Sequence, residues 1–392
     1  MVPSSLQGNH VRIVIAPDKF RGSLSAAEAA HAIARGVLRA DPMAEVIEIP
    51  MADGGEGTVQ ALVAATRGGM QRVGVSDPLG RPILAQFGML GDHKTAVLEM
   101  ASASGLALLS NEERDPRRTS TRGTGELLLA AIDSGAQKII LGIGGSATTD
   151  GGAGFAQALG YRLYDEAGLE LPPGGEALDR LVRIDVSNVD SRLQGVTISA
   201  ACDVDNPLYG PRGAAAIFGP QKGADLATIE LLNRNLAHFA QIILRDLGKD
   251  VANVPGAGSA GGLGAGLMAF VNATLEPGVD LVARTVGLQK AMQGADLVIT
   301  GEGAIDGSSV GGKTVIGVSR IAQTIRVPVI ALVGSIGPGA EAVFEQGLCA
   351  YFSLCSRPMT LETAITQATD LLANLAESTV RLFLAGRTST AQ

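Results

Sequence analysis

The 392-residue sequence has no tryptophan, four tyrosines and nine phenylalanines, so aromatics make up only 3% of the chain. A hydrophobic fraction of 46% must therefore be carried by Ala, Val, Ile and Leu, packed closely around 52 glycines. That composition suits α/β architecture with many tight strand–helix turns. Cysteine is scarce too: Cys202, Cys349 and Cys355 share no metal-ligand spacing, and three thiols cannot all pair. Free thiols in a reducing compartment are expected. Clustered positive charge is also missing. The net charge is −8, and the basic residues gather only at Arg114–Arg118, which excludes a phosphate-neutralising nucleic-acid surface. No apolar run approaches the ~20 residues of a membrane span. The opening MVPSSLQGNH lacks the basic and apolar regions of a signal peptide. The expectation is a soluble cytoplasmic protein of two domains, with irregular ends at 1–10 and 386–392.

What is present is a β/α rhythm at both ends of the chain. The β-branched run Val11–Ala16 reads as a buried strand stopped by Pro17. A turn carrying Asp18, Lys19, Arg21 and Ser23 follows, and Ser25 with Glu28 forms a capping box that should open a helix. Glu45–Pro50 reads as the next strand. From Gly68 to Met100 the apolar residues alternate in short runs, as antiparallel strands do. Helices are expected at 123–134 and 224–247, and strands at 138–141 and 196–201. The β/α rhythm returns with strands at 297–300, 328–333 and 349–354 and helices from Lys313, near 340–347, and over 361–384. The expected architecture is α/β in two domains. Residues 1–72 and 285–392 form a discontinuous one, residues 73–284 an inserted one, and ligand binds in the cleft between them.

Glycine-rich loops with embedded polar residues carry the chemistry. Asp53-Gly54-Gly55-Glu56-Gly57 places two carboxylates on exposed backbone, a base or metal-binding pattern. The run Gly142–Gly154 follows a strand and leads into a helix, in outline an anion cradle. Gly144, Gly145 and Gly151 let a ligand approach, and Ser146, Thr148 and Thr149 add hydroxyls. Asp150 would orient a hydroxyl or hold a cation. Asp203, Asp205 and Asn206 stand at a strand exit, Lys222 lies between glycines, and Gly258, Gly261 and Gly262 belong to a third flexible turn. None of the four histidines sits in such a loop, so a base should be a carboxylate: Asp53 first, Asp203 second.

Gly307–Thr314 matches the P-loop pattern G-x-x-x-x-G-K-[ST]. Against it, Gly301–Asp306 intervene after a strand ending at Thr300, and the strand at 328–333 runs into Gly334-Ser335 instead of a magnesium-binding aspartate. The match reads as coincidence. What it leaves is Glu302, Asp306 and Lys313 as one wall of a phosphate site.

The segments APDKFRGSLSA, ADGGEGT, TGELLLAAIDSGA, GIGGSATTDGGAG, ACDVDNPL, FGPQKGA, GAGSAGGLGAGLMAF and TGEGAIDGSSVGGK together resemble the type I glycerate kinase family, from about Ile13 to Phe352. The resemblance implies a flavodoxin-like domain with an inserted domain likened to restriction endonucleases. It implies ATP-dependent, Mg²⁺-assisted phosphorylation of D-glycerate, typically to 2-phosphoglycerate in glyoxylate and sugar-acid breakdown. A homodimer is one possible assembly. On that reading Asp53, Asp203 and Asp150 are the catalytic candidates. Asp18, Lys19, Arg21, Ser23, Gly54 and Gly55 would hold the substrate. Gly144, Gly145, Ser146, Gly151, Lys222, Gly258, Gly261, Gly262, Glu302 and Lys313 would hold the nucleotide, with Asp306 and Glu302 on the metal. The chain departs from the family pattern at Lys19 (usually Ser), Thr149 (usually Asn) and Ala304 (usually Arg), and Lys19 would restore the charge that Ala304 lacks. A kinase for another small sugar acid, and a silent sugar-acid or nucleotide-binding homologue, are the alternatives.

Overall fold

In the computed structural model, the structure describes residues 10–307, 309 and 313–389. Its strands, in chain order, are β1 (Arg12–Pro17), β2 (Glu45–Glu48), β3 (Gly69–Ser76), β4 (Pro82–Met89), β5 (Thr95–Glu99), β6 (Lys138–Gly142), β7 (Arg162–Tyr164), β8 (Arg183–Asp185), β9 (Thr197–Ala201), β10 (Thr274–Glu276), β11 (Leu297–Ile305), β12 (Val329–Ile336) and β13 (Ala350–Ser353). Contacts divide the chain into two units, one comprising residues up to Asp53 and from Val282 onward, the other Gly54–Leu281.

The first unit holds an all-parallel sheet of order β13-β12-β11-β1-β2. Counted along this unit's own chain, the strands lie in the order 2-1-3-4-5, the flavodoxin-like winding whose switch point falls between its first and third strands. Here these are β1 and β11. Ile13, Ile15, Leu297 and Ile299 are buried in the core, as a parallel sheet covered on both faces requires. The Ser25–Glu28 capping box forms as expected and opens the helix Ala26–Ala40. That helix packs along Ala368–Ser389, an element that continues past Gly386 instead of fraying there. The segments 1–9 and 390–392 lie outside the described residues.

β11 is longer than its sequence suggests. It runs through Gly301, Glu302, Gly303 and Ala304 to Ile305, pairing Gly301 with Leu332 and Ala304 with Ser335. The glycine read as a turn signal serves close approach instead. A Cβ on Gly301 would stand 2.2 Å from the Leu332 carbonyl oxygen. Residues 301–305 of the expected turn are therefore strand, and Gly307 follows the strand's end after one residue.

The second unit is built on a mixed sheet of order β10-β9-β6-β5-β4-β3. β10, β9, β6 and β5 run parallel, while β4 and β3 return antiparallel. The helix Thr58–Thr66 packs on β4 and β5, so residues 54–72 join this unit. β7 and β8 form a separate antiparallel pair. The long helix Leu226–Leu247 buries Leu232, Leu236, Phe239 and Ile243, one stripe at helical spacing.

Small residues set how closely these layers approach. Gly36 of the helix Ala26–Ala40 faces the helix Ala368–Ser389, and a Cβ there would lie 2.2 Å from the Ala373 carbonyl oxygen and 2.7 Å from Ala376 Cβ. Both obstacles are rigid. Gly36→Ala should destabilise the protein by about 2 kcal/mol, read as a fall of several degrees in Tm. A Tm within about 1 °C of the wild type would show that the helices separate freely.

Candidate functional site

The switch point of the first unit gathers acid. Asp18 leaves the end of β1, buried to 7% exposure, and its two oxygens accept from Lys19 N at 2.6 Å and from the Thr314 hydroxyl at 2.5 Å. Thr314 opens the helix Thr314–Thr324, whose N-cap is Lys313. One carboxylate therefore ties a strand end to a helix start. Burial and the negative charge of Asp53 push Asp18 up to about 6.

Glu302 lies beside it on β11. It is 9% exposed, and its Oε1 has no hydrogen-bond partner among the described residues. Burial raises it to about 7. Lys313 opposes that shift, while Asp18, Asp53 and Asp306 add to it. The Lys313 ammonium stands 3.8 Å from Asp306 Oδ1 and donates to Ser309 Oγ at 3.2 Å. Five of the residues expected from sequence thus form one electrostatic group: Asp18, Asp53, Glu302, Asp306 and Lys313. A strongly shifted carboxyl with an unsatisfied oxygen in such a group is a functional-site candidate. Arg21 is exposed, and the Ser23 hydroxyl donates back to Phe20 O at 3.0 Å. Lys19 is half-buried and adds its charge to Asp18. Ala304 is exposed.

The second unit brings Gly54, Gly55 and Gly142–Gly154 together at the carboxyl ends of β6 and β9. A Cβ on Gly142 would meet Gly54 O at 2.6 Å, and one on Gly54 would meet Ala201 Cβ at 2.4 Å. Gly144 is open, its nearest contact being Gly55 Cα at 3.7 Å. Asp203, exposed after β9, accepts from Gly278 N at 2.9 Å, where the helix Gly278–Thr285 begins. The Glu99 carboxylate, at the end of β5, accepts from Val59 N at 3.1 Å in the first turn of Thr58–Thr66.

Two residues expected to meet ligand are turned inward instead. Asp150 is wholly buried and accepts from Thr121 N, the Thr121 hydroxyl, Gly152 N and Gly154 N at 2.8–3.2 Å. Three of these bonds fall on one oxygen, and together the four brace the loop from within. Burial nonetheless raises its pKa against those four bonds. Lys222 is 1% exposed and donates to Ser146 Oγ at 2.7 Å and Thr148 O at 2.6 Å. Desolvation lowers it to about 7, with Asp150 pulling the other way. It does not stand free to neutralise a phosphate.

Gly258, Gly261 and Gly262 likewise face protein. A Cβ on Gly261 would sit 1.8 Å from Thr148 O, on Gly262 2.8 Å from Gly151 Cα, and on Gly258 2.2 Å from Pro207 O. Gly261 and Gly262 thus let one glycine loop lie backbone to backbone on another, and Gly258 lets the chain lie on Pro207. Gly151, in that second loop, would meet Phe239 at 2.7 Å. Gly145 has Ala101 Cβ at 3.3 Å. Thr121 and Glu99 were not singled out from sequence; each is a polar side chain whose partner lies far along the chain.

Comparison with known proteins places the chain. Residues 13–384 match the model of the glycerate kinase family. The chain is 55% identical over 366 residues to a glycerate kinase of Halalkalibacterium halodurans, covering 93% of this chain and 96% of that protein. It is 49% identical over 360 residues to the glycerate 2-kinase of Escherichia coli K12, covering 92% and 94%. A crystal structure from Salmonella typhimurium LT2, provisionally described as glycerate kinase 2, superposes with a TM-score of 0.90 at 46% identity, covering 97% of this chain and all of the other. The match extends over both units, and the chain belongs to the glycerate kinase family.

Proposed function

We propose that the protein transfers the γ-phosphoryl group of ATP to D-glycerate, giving 2-phosphoglycerate, by direct in-line displacement. The observation that carries this reading beyond family membership is Glu302. It is a buried carboxylate with an unpartnered oxygen, under the charge of Lys313, at the β1–β11 switch point. Ligands of doubly wound sheets bind at such points.

Phosphoryl transfer asks for positioning, charge neutralisation and an acceptor for the hydroxyl proton. Asp53 is assigned the proton. Asp18 has both oxygens engaged by Lys19 N and Thr314, which leaves it to fix the Thr314–Thr324 helix start and hence Lys313. Lys313 neutralises the transferred phosphoryl, and Lys19 and Arg21 take the glycerate carboxylate. Asp203 remains the second candidate base. The Gly144–Ser146 turn, where Gly144 admits close approach, holds nucleotide phosphates.

Magnesium fits the first unit in donor chemistry. Among the described residues no group of three or more His, Cys, Asp or Glu side chains is arranged to hold a metal, so these residues form no all-protein cage. Mg²⁺ commonly uses one or two carboxylates plus substrate phosphates, and the orphaned Oε1 of Glu302, with Asp306, supplies that number. The ion would neutralise charge developing on the phosphoryl oxygens.

A coupled ADP-release assay with D-glycerate, L-glycerate, tartronate and hydroxypyruvate tests the substrate. D-Glycerate should have the highest kcat/KM, and a clear preference for another acid would overturn the assignment. Asp53→Asn should lower kcat by at least about 100-fold with Tm unchanged, the scale of a lost general base. Near-normal turnover would move that role to Asp203.

Glu302 also gives a sign-definite pH dependence. Its folded pKa, about 7, lies above the ordinary value of 4.5, so the native state holds this proton more tightly than the unfolded chain. The associated stability is complete below about pH 4.5 and is lost as pH rises through 7. Glu302→Gln should therefore be more stable than wild type at pH 8, by on the order of 2 kcal/mol, with the gap closing by pH 4.5. Parallel urea midpoints at the two pH values would contradict it.

A further inference from the structure

The interior lysine of the second unit has a use that charge neutralisation does not describe. Lys222 sits on the short turn Pro220–Lys222 and is 1% exposed. Its ammonium donates to Ser146 Oγ at 2.7 Å and to the Thr148 carbonyl at 2.6 Å, two points on the same glycine loop. An ammonium has donors only. Ser146 Oγ is thus an acceptor in this contact, and its own proton must be donated elsewhere. Ser146 retains 8% exposure, whereas Thr148 and Thr149 are fully buried. Of these three residues, Ser146 alone keeps any exposure, two residues after the open Gly144.

We propose that Lys222 is a positioning residue: it fixes the Ser146 hydroxyl so that its hydrogen points out of the loop as a donor to a phosphate oxygen of the bound nucleotide. This rests on the assignment of the Gly144–Ser146 turn to nucleotide phosphates. Without Lys222 the hydroxyl would lose the partner that fixes its orientation, and the Thr148 carbonyl would lose its donor. Direct neutralisation is excluded by the burial of the ammonium behind Ser146. Asp150, fixed by four hydrogen bonds in the same loop, partly offsets the desolvation that lowers Lys222 to about 7. A phosphate arriving at Ser146 would offset it further.

The test is a double-mutant cycle read by nucleotide binding, with ATP as the titrant. Ser146→Ala should weaken ATP binding about 10- to 100-fold, the range for a hydrogen bond to a charged group. Lys222→Met should weaken it to a similar degree, with KM for D-glycerate within about threefold of wild type. The double variant should be no worse than the poorer single one, because one residue acts through the other. Independent, additive losses would overturn the proposal, as would Lys222→Met binding ATP normally while Ser146→Ala does not. If Ser146→Ala binds ATP normally, the assignment of the turn to nucleotide fails instead and takes the proposal with it. A purely structural lysine would lower Tm and disturb both substrates together, which also overturns it. Should Lys222→Met fail to fold, Lys222→Gln, whose amide ends one bond short of the ammonium, must meet the same non-additivity.

Discussion

Backbone lying directly on backbone is the constraint on which both units depend. β11 approaches β12 closely at Gly301, where the Leu332 carbonyl occupies the place of a side chain. Gly261 does the same against Thr148. A chain without tryptophan and with few other aromatics cannot fill wide gaps between layers, so it removes the gaps. Close layers in turn force polar groups at strand ends into low-dielectric surroundings, where each must be satisfied or remain costly.

How that cost is met separates scaffold from chemistry. Asp150 is buried completely and collects four donors; Lys222 is buried as deeply and collects two acceptors. These groups are closed within the second unit and hold its loop in one shape. Glu302 is buried almost as far, yet one of its oxygens has no partner, and three carboxylates raise its pKa further. A protein gains nothing in stability from that arrangement. It is the expected condition of a group whose partner arrives with substrate.

Local signals in the sequence were readable because their physics is local. Ser25 and Glu28 cap their helix reciprocally within four residues, and Val11–Ala16 could only be a buried strand. The β/α rhythm at both ends of the chain marked a discontinuous α/β unit, and its flavodoxin-like winding is the one the family resemblance implied. Glycine was the ambiguous letter. At Gly144 it leaves space for a ligand, but at Gly258, Gly261 and Gly262 the same residue makes room for protein, and nothing in the surrounding letters distinguishes the cases. Asp150 and Lys222 misled for a related reason: a charged residue in a glycine loop suggests exposure, while their partners, Thr121 and Ser146, lie 29 and 76 residues away.

The P-loop pattern at Gly307–Thr314 shows how far letters can carry a physical argument. One objection to it disappears, since β11 extends to Ile305 and Gly307 comes two residues after the strand's last one. The other stands: β12 ends in Gly334-Ser335-Ile336 and supplies no metal-binding aspartate. Residues 308 and 310–312 lie outside the described set, while Lys313 is the N-cap of Thr314–Thr324. A strand end, a glycine-rich connection, a lysine and a helix N-terminus together make a favourable place for phosphate on any parallel sheet, because amide donors, dipole and ammonium add. The eight letters therefore report that combination of parts and not descent from nucleotide hydrolases. The Asp18–Thr314 hydrogen bond, which the P-loop pattern does not encode, is what fixes the lysine-bearing helix start to the end of β1.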